Sequence, residues 1–190
     1  MGRYTEYFQD IWKMQSSRKV MGVSLFGVFF ENSTPFTPGN QLKISENVEK
    51  GIRQIIEKGY DFLVIVGQPA LRTRNLDQQD FENILNATKE VVESMGGRIK
   101  NAYYTPSVEK NDPYVKPNTG MFERAANEGQ VKWDETFYIG SEINDVKAAT
   151  KVKAKPILIK SGNAKTKAFE LTHQIKLQEY DSLLDFANTL

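Results

Sequence analysis

Apolar residues fall in compact blocks along this chain, separated by polar stretches in which apolar positions recur at helical spacing. The most continuous block is Lys19-Val20-Met21-Gly22-Val23-Ser24-Leu25-Phe26-Gly27-Val28-Phe29-Phe30. A run this rich in valine and phenylalanine predicts a strand buried on both faces, in the middle of a parallel sheet. Asp61 to Val66, Arg98 to Tyr104, Thr136 to Gly140 and Pro156 to Ile159 predict four more strands. Between the first two, Val48, Ile52, Ile55 and Ile56 make one face of a helix, capped by Ser45 and ended by Gly59. A second helix is expected from Asp77 to Ser94, stopped by Gly96-Gly97. Asn118 or Thr119 caps a short third helix that closes at Gly129, and another follows Asp145 through Ala149. A weak helix around Thr166 to His173 precedes a last one, capped by Asp181, with Leu183, Leu184, Phe186 and Leu190 on its apolar face.

Strand and helix alternate throughout, so the expected fold class is α/β, a doubly wound parallel sheet. Ligands of such sheets bind beyond the carboxyl ends of the central strands. The residues that follow Val23 are Ser24, Leu25, Phe26, Gly27 and Val28, none of them acidic. The other loops at this end are Gly67 to Asn75, Thr105 to Asn118, and Ser141 to Asp145. A proline- and glycine-punctuated loop also runs from Glu31 to Gln41.

Residues 1–17 stand apart from the domain expected over residues 18–190. Tyr4, Phe8, Ile11 and Trp12 form an apolar stripe on a helix, which either packs on the domain or docks another subunit.

Composition narrows the function classes. The chain has 190 residues, 39% hydrophobic and 26% charged, with a net charge of +1. That balance gives no electrostatic argument for nucleic acid or an anionic membrane. There is no cysteine, which removes disulfides, thiolate metal sites and cysteine nucleophiles together. No apolar run approaches the ~20 residues of a membrane span, and Glu6 stands where a myristoylation start needs Ser or Thr. A cytoplasmic or equivalent intracellular protein is expected, with a protein partner or self-assembly.

The segment Lys116-Pro117-Asn118-Thr119-Gly120-Met121, the stretch Ala126-Asn127-Glu128-Gly129, Gly27 in the first apolar block and Gly140 at the end of the fourth strand carry a resemblance. From residue 18 onward the chain resembles the haloacid dehalogenase (HAD) superfamily. Within it, the match is to the capless histidinol-phosphate and heptose-bisphosphate phosphatase branch, with likeness also to polynucleotide 3′-phosphatases. The resemblance implies an aspartate nucleophile, a second aspartate as acid/base, a Thr or Ser and a Lys on the phosphoryl oxygens, and acids that hold Mg²⁺.

Position by position, the nucleophile falls on Ser24, the acid/base on Phe26 and the Thr/Ser on Val66. The lysine is kept as Lys116. Of the acids after the fourth strand, the first has become Ser141 and Asp145 remains. The loop that carries zinc ligands in heptose phosphatases, here Thr105 to Asp112, has no Cys or His, and the single histidine is His173. The implied state is a catalytically inactive phosphatase fold acting as a structural or interaction subunit, with no cofactor, or Mg²⁺ if activity persists. Lys116 would face little negative charge. Lys116, Thr119, Gln68, Arg72 and Asp145 remain as vestigial ligands for a phosphorylated small molecule. Each has a plainer reading: Lys116 as turn geometry, Asp145 as a first-turn carboxylate, Gln68 as inherited loop, Arg72 and Arg74 as a solvated loop. A rival register makes Glu31, in Glu31-Asn32-Ser33-Thr34, an unusual nucleophile.

Overall fold

The computed structural model describes residues 18–30, 44–67, 77–105, 107, 109–160 and 177–190. The proposed docking residues Tyr4, Phe8, Ile11 and Trp12 lie outside them, as do Glu31, Gln68, Arg72, Arg74 and His173.

Among the described residues, six parallel strands form one sheet: β1 (Lys19–Val23), β2 (Tyr60–Val66), β3 (Ile99–Tyr104), β4 (Phe137–Gly140), β5 (Lys155–Ile159) and β6 (Gln178–Tyr180). Their order is β3-β2-β1-β4-β5-β6, so β1 is central, with Val23 opposite Val64 on one side and Ile139 on the other. The connecting helices are α1 (Glu46–Glu57), α2 (Gln78–Ser94), α3 (Gly120–Asn127), α4 (Ile143–Lys151) and α5 (Leu183–Ala187), with a 3₁₀ turn at Trp133–Glu135. None of the described helices is long and apolar enough to cross a membrane.

Two cores cover the two faces, as a doubly wound sheet requires. Met21, Val23, Phe62, Val64, Ile139 and Ile157 meet Ile52 and Ile55 of α1, Phe81 of α2 and Phe186 of α5. On the other face, Leu63, Ile65 and Tyr138 meet Phe122 of α3, Trp133 and Ala148 of α4.

Three expectations are corrected. The apolar run is not one strand. β1 ends at Val23, and the chain then turns at Gly27, whose φ of 81° suits glycine. The Gly27 amide donates to the Phe30 carbonyl at 2.8 Å, and the Phe29 amide to the Leu25 carbonyl at 2.8 Å. Leu25, Val28 and Phe29 are fully buried in that turn, so apolar continuity persists where the strand does not. The sixth strand, Gln178–Tyr180, was not anticipated, because a three-residue polar edge strand has no period to read. The last helix is capped by Ser182, whose hydroxyl accepts from the Asp185 amide at 3.1 Å, while Asp181 pairs with Lys160 at 3.0 Å.

Candidate functional site

The carboxyl ends of β1, β2 and β4 bring Ser24, Phe26, Val66 and Ser141 to one edge of the sheet. The Ser24 amide donates to the Ile139 carbonyl at 2.9 Å, carrying the β1–β4 pairing one step past the strand. Phe26 is 9% exposed, and its ring packs on Phe30 with centroids 6.0 Å apart. The Ser141 hydroxyl donates to the Phe26 carbonyl at 3.1 Å. A neutral hydrogen bond therefore ties together the loops after β1 and β4. Val66 lies in the core with no side-chain donor to offer.

The charged part of the site comes from the loop before α3 and from the start of α4. The Lys116 ammonium is paired with Asp145 Oδ1, lies 3.4 Å from the Tyr138 hydroxyl, and stands 5.8 Å from the centroid of that ring. The other carboxylate oxygen of Asp145, Oδ2, accepts from the Ser141 and Glu142 amides, each at 3.1 Å. Asp145 thus satisfies the N-terminal donors of its own helix while neutralising Lys116. A Cβ on Gly140 would lie 2.2 Å from the Asp145 Cβ, so the carboxylate folds back over a position only glycine can occupy. The Lys116 and Asp145 side chains are 10% and 3% exposed, so this is a buried pair. The expectation that Lys116 faces little negative charge is overturned: Asp145, 29 residues along the chain, is paired with it.

Tyr138 is the residue that sequence reasoning missed. Its hydroxyl is 3.2 Å from the Ile65 carbonyl and 3.4 Å from Asp145 Oδ1. Burial, and then the neighbouring Asp145 carboxylate, push its phenol well above the ordinary tyrosine range, so it is a neutral hydrogen-bonding group. The available signal was a polar-tipped aromatic inside an otherwise aliphatic strand.

Thr119 begins α3 without capping it by its side chain; the hydroxyl donates instead to Glu123 Oε1 at 2.6 Å. The Asn118 amide also does not cap; it donates to the carbonyls of Lys110 and Asp112 at 3.1 and 2.8 Å, closing the loop that carries Lys116.

Magnesium asks for several hard oxygen ligands, mostly carboxylates. Among the described residues no group of three or more His, Cys, Asp or Glu side chains is placed to hold a metal ion. Asp145, the acid kept at the aligned positions, has both oxygens committed to Lys116 and to backbone amides. The donor set therefore does not fit the ion that the fold family implies.

Comparison with known proteins agrees with this fold and its motif order. A family model described as HAD-hydrolase-like matches residues 114–185. D-glycero-beta-D-manno-heptose-1,7-bisphosphate 7-phosphatase of Haemophilus ducreyi is 24% identical over 152 residues, covering 75% of this chain and 84% of that protein. The Helicobacter pylori J99 protein of the same name is 26% identical over 121 residues, covering 60% and 70%. Among solved structures, D,D-heptose 1,7-bisphosphate phosphatase from B. bronchiseptica, complexed with magnesium and phosphate, superposes with a TM-score of 0.72. The identity is 16%, over 90% of this chain and 97% of that one. The Burkholderia thailandensis enzyme gives 0.64 at 16% identity over the same shares. The family-model match, the relatives and the shared fold together support the HAD superfamily for this chain. Within it, the matched relatives and structures point to the heptose-bisphosphate phosphatase-like branch.

Proposed function

We propose that this chain is a catalytically silent member of its superfamily, retained as a structural or protein-binding subunit. One observation carries the reading. Ser24, Phe26 and Ser141 stand at the aligned carboxylate positions, and the remaining acid is locked to Lys116 and two amides. Ser24 has no base supplied by its neighbours in sequence, and Phe26 has no proton to transfer. Loss of a nucleophile or acid/base alone removes several orders of magnitude of rate. A fold that persists without its chemistry serves through its surfaces. The aromatic stripe Tyr4, Phe8, Ile11 and Trp12 is the proposed attachment segment, and an intracellular compartment remains the proposed setting.

Calorimetric titration with Mg²⁺, run beside light scattering of the full chain, tests this. The reading expects no saturable Mg²⁺ uptake. It also expects either a mass above one chain, for self-assembly, or a monomer that gains a stable protein partner only when residues 1–17 are present. Saturable Mg²⁺ binding abolished by Asp145→Asn overturns it.

The names of the relatives favour a second reading, residual action on a sugar bisphosphate. It requires turnover of D-glycero-beta-D-manno-heptose 1,7-bisphosphate that depends on Mg²⁺ and, in the rival register, on Glu31.

A further inference from the structure

The donors around Asp145 come from three separate parts of the chain. Lys116 contributes an ammonium from the loop before α3, and Tyr138 a hydroxyl from β4. Ser141 and Glu142 contribute backbone N–H groups from the start of α4. Oδ2 has the two amides; Oδ1 has Lys116, with the Tyr138 hydroxyl, its one proton shared with the Ile65 carbonyl, 3.4 Å away. Three committed donors and a shared phenol converging on two oxygens, one donor carrying a full positive charge, make an anion site. The occupant is the chain's own side chain.

We propose that these four groups form an anion cradle plugged from within by Asp145. The plug keeps external phosphate off Lys116, and its removal opens a site for a small carboxylate such as formate. This rests on the reading above that the site does not turn over phosphate esters, and it says what replaced that chemistry. The electrostatics favour the plug. The carboxylate is tethered, so it enters the site without the loss of translational freedom that a free anion suffers. Lys116 and Asp145 cancel, so an arriving phosphate dianion meets no net positive charge and stands beside a carboxylate. Cutting Asp145 back to alanine deletes a planar two-oxygen group, and formate has that same shape. The cradle keeps the lysine, the phenol and both amides to receive it.

The test is thermal unfolding of full-length Asp145→Ala in formate, against chloride at equal ionic strength. Removing one member of a buried ion pair is expected to lower the midpoint by on the order of 10 °C in a chain of this size. Formate is expected to restore at least half of that loss, saturably, as a ligand of the folded state does. The Lys116→Met, Asp145→Ala double variant is expected to show no formate effect. A folded Asp145→Ala that responds to formate no more than to chloride overturns the proposal. The wild type supplies an independent arm, whether or not Asp145→Ala folds. Inorganic phosphate is expected to give it no saturable shift, and a saturable shift lost in Lys116→Met overturns the plug. Turnover of a phosphate ester by the wild type would count against the silent-site reading, whereas the cradle is decided by formate and phosphate binding.

Discussion

Replacing Phe26 with aspartate puts a carboxylate back where phosphatases of this branch are expected to carry their acid/base. On the silent-site reading this restores nothing, and the burial of the ring predicts that it destabilises the chain. Phe26 is 9% exposed, packs on Phe30 and belongs to the same buried cluster as Val23, Phe29 and Phe62. Truncating a buried phenylalanine costs about 3–5 kcal/mol, and the residual exposure of this ring puts it near the lower figure. The new carboxylate adds about 1–3 kcal/mol, because a poorly solvated charge without a partner is penalised and Lys116 is already held by Asp145. The sum is about 5 kcal/mol against a typical total of about 5–15 kcal/mol, equivalent to a fall of about 10–20 °C in Tm. Urea unfolding followed by circular dichroism, with and without Mg²⁺, measures it. A loss below about 1 kcal/mol would refute the argument that the loop after β1 has become core. So would a rise in Tm when Mg²⁺ is added to the variant, because it would show a carboxylate site still open to a cation.

Three further outcomes follow from the same geometry. Lys116→Met and Asp145→Leu are each expected to cost about 3 kcal/mol, and the double variant at least about 1 kcal/mol less than their sum; strict additivity in denaturant titrations would mean that the pair is not formed. Gly22→Ala is expected to lose about 1–3 kcal/mol or more, because a Cβ there would lie 2.6 Å from both Trp133 Cζ3 and Tyr138 Cδ2; an unchanged Tm would contradict that packing. Alkaline pH gives the third. Burial, and then its 2.5 Å bond to Glu128, push the Tyr103 phenol up from 10.0 to about 12, and Tyr138 is raised as well. The folded state holds the Tyr103 proton more tightly than the unfolded chain, so its stabilisation is complete below pH 10 and is lost as pH rises through about 12. Tyr103→Phe should flatten the decline between those limits, and an identical slope in wild type and variant would show that Tyr103 does not contribute.

The sheet was legible because its central strands are continuous apolar blocks, and the helices between them carry recognisable starts and stops. Ser45 and Asp77 cap α1 and α2, and Gly59, Gly96 and Gly129 all take positive φ past the ends of α1, α2 and α3. The same apolar signal misled at β1, where Leu25 to Phe29 are as buried as the strand but lie in a turn. The substitutions at positions 24, 26, 66 and 141 could be read only through the resemblance, since a serine or a phenylalanine after a strand carries no chemical signal alone. What no local pattern could supply was the pairing of Lys116 with Asp145. Lys116 and Asp145 lie 29 residues apart, and nothing periodic links them. Their meeting depends on the register that sets β4 beside β1, on Gly140, and on a tyrosine within β4.

The most direct test is phosphate release from D-glycero-beta-D-manno-heptose 1,7-bisphosphate and a panel of other phosphate esters, by the full chain with Mg²⁺. The account predicts a rate indistinguishable from the blank for every ester, in the wild type and in Lys116→Met alike. Mg²⁺-dependent release by the wild type, lost in Lys116→Met, would contradict it and would mean that the buried ion pair opens to let chemistry proceed.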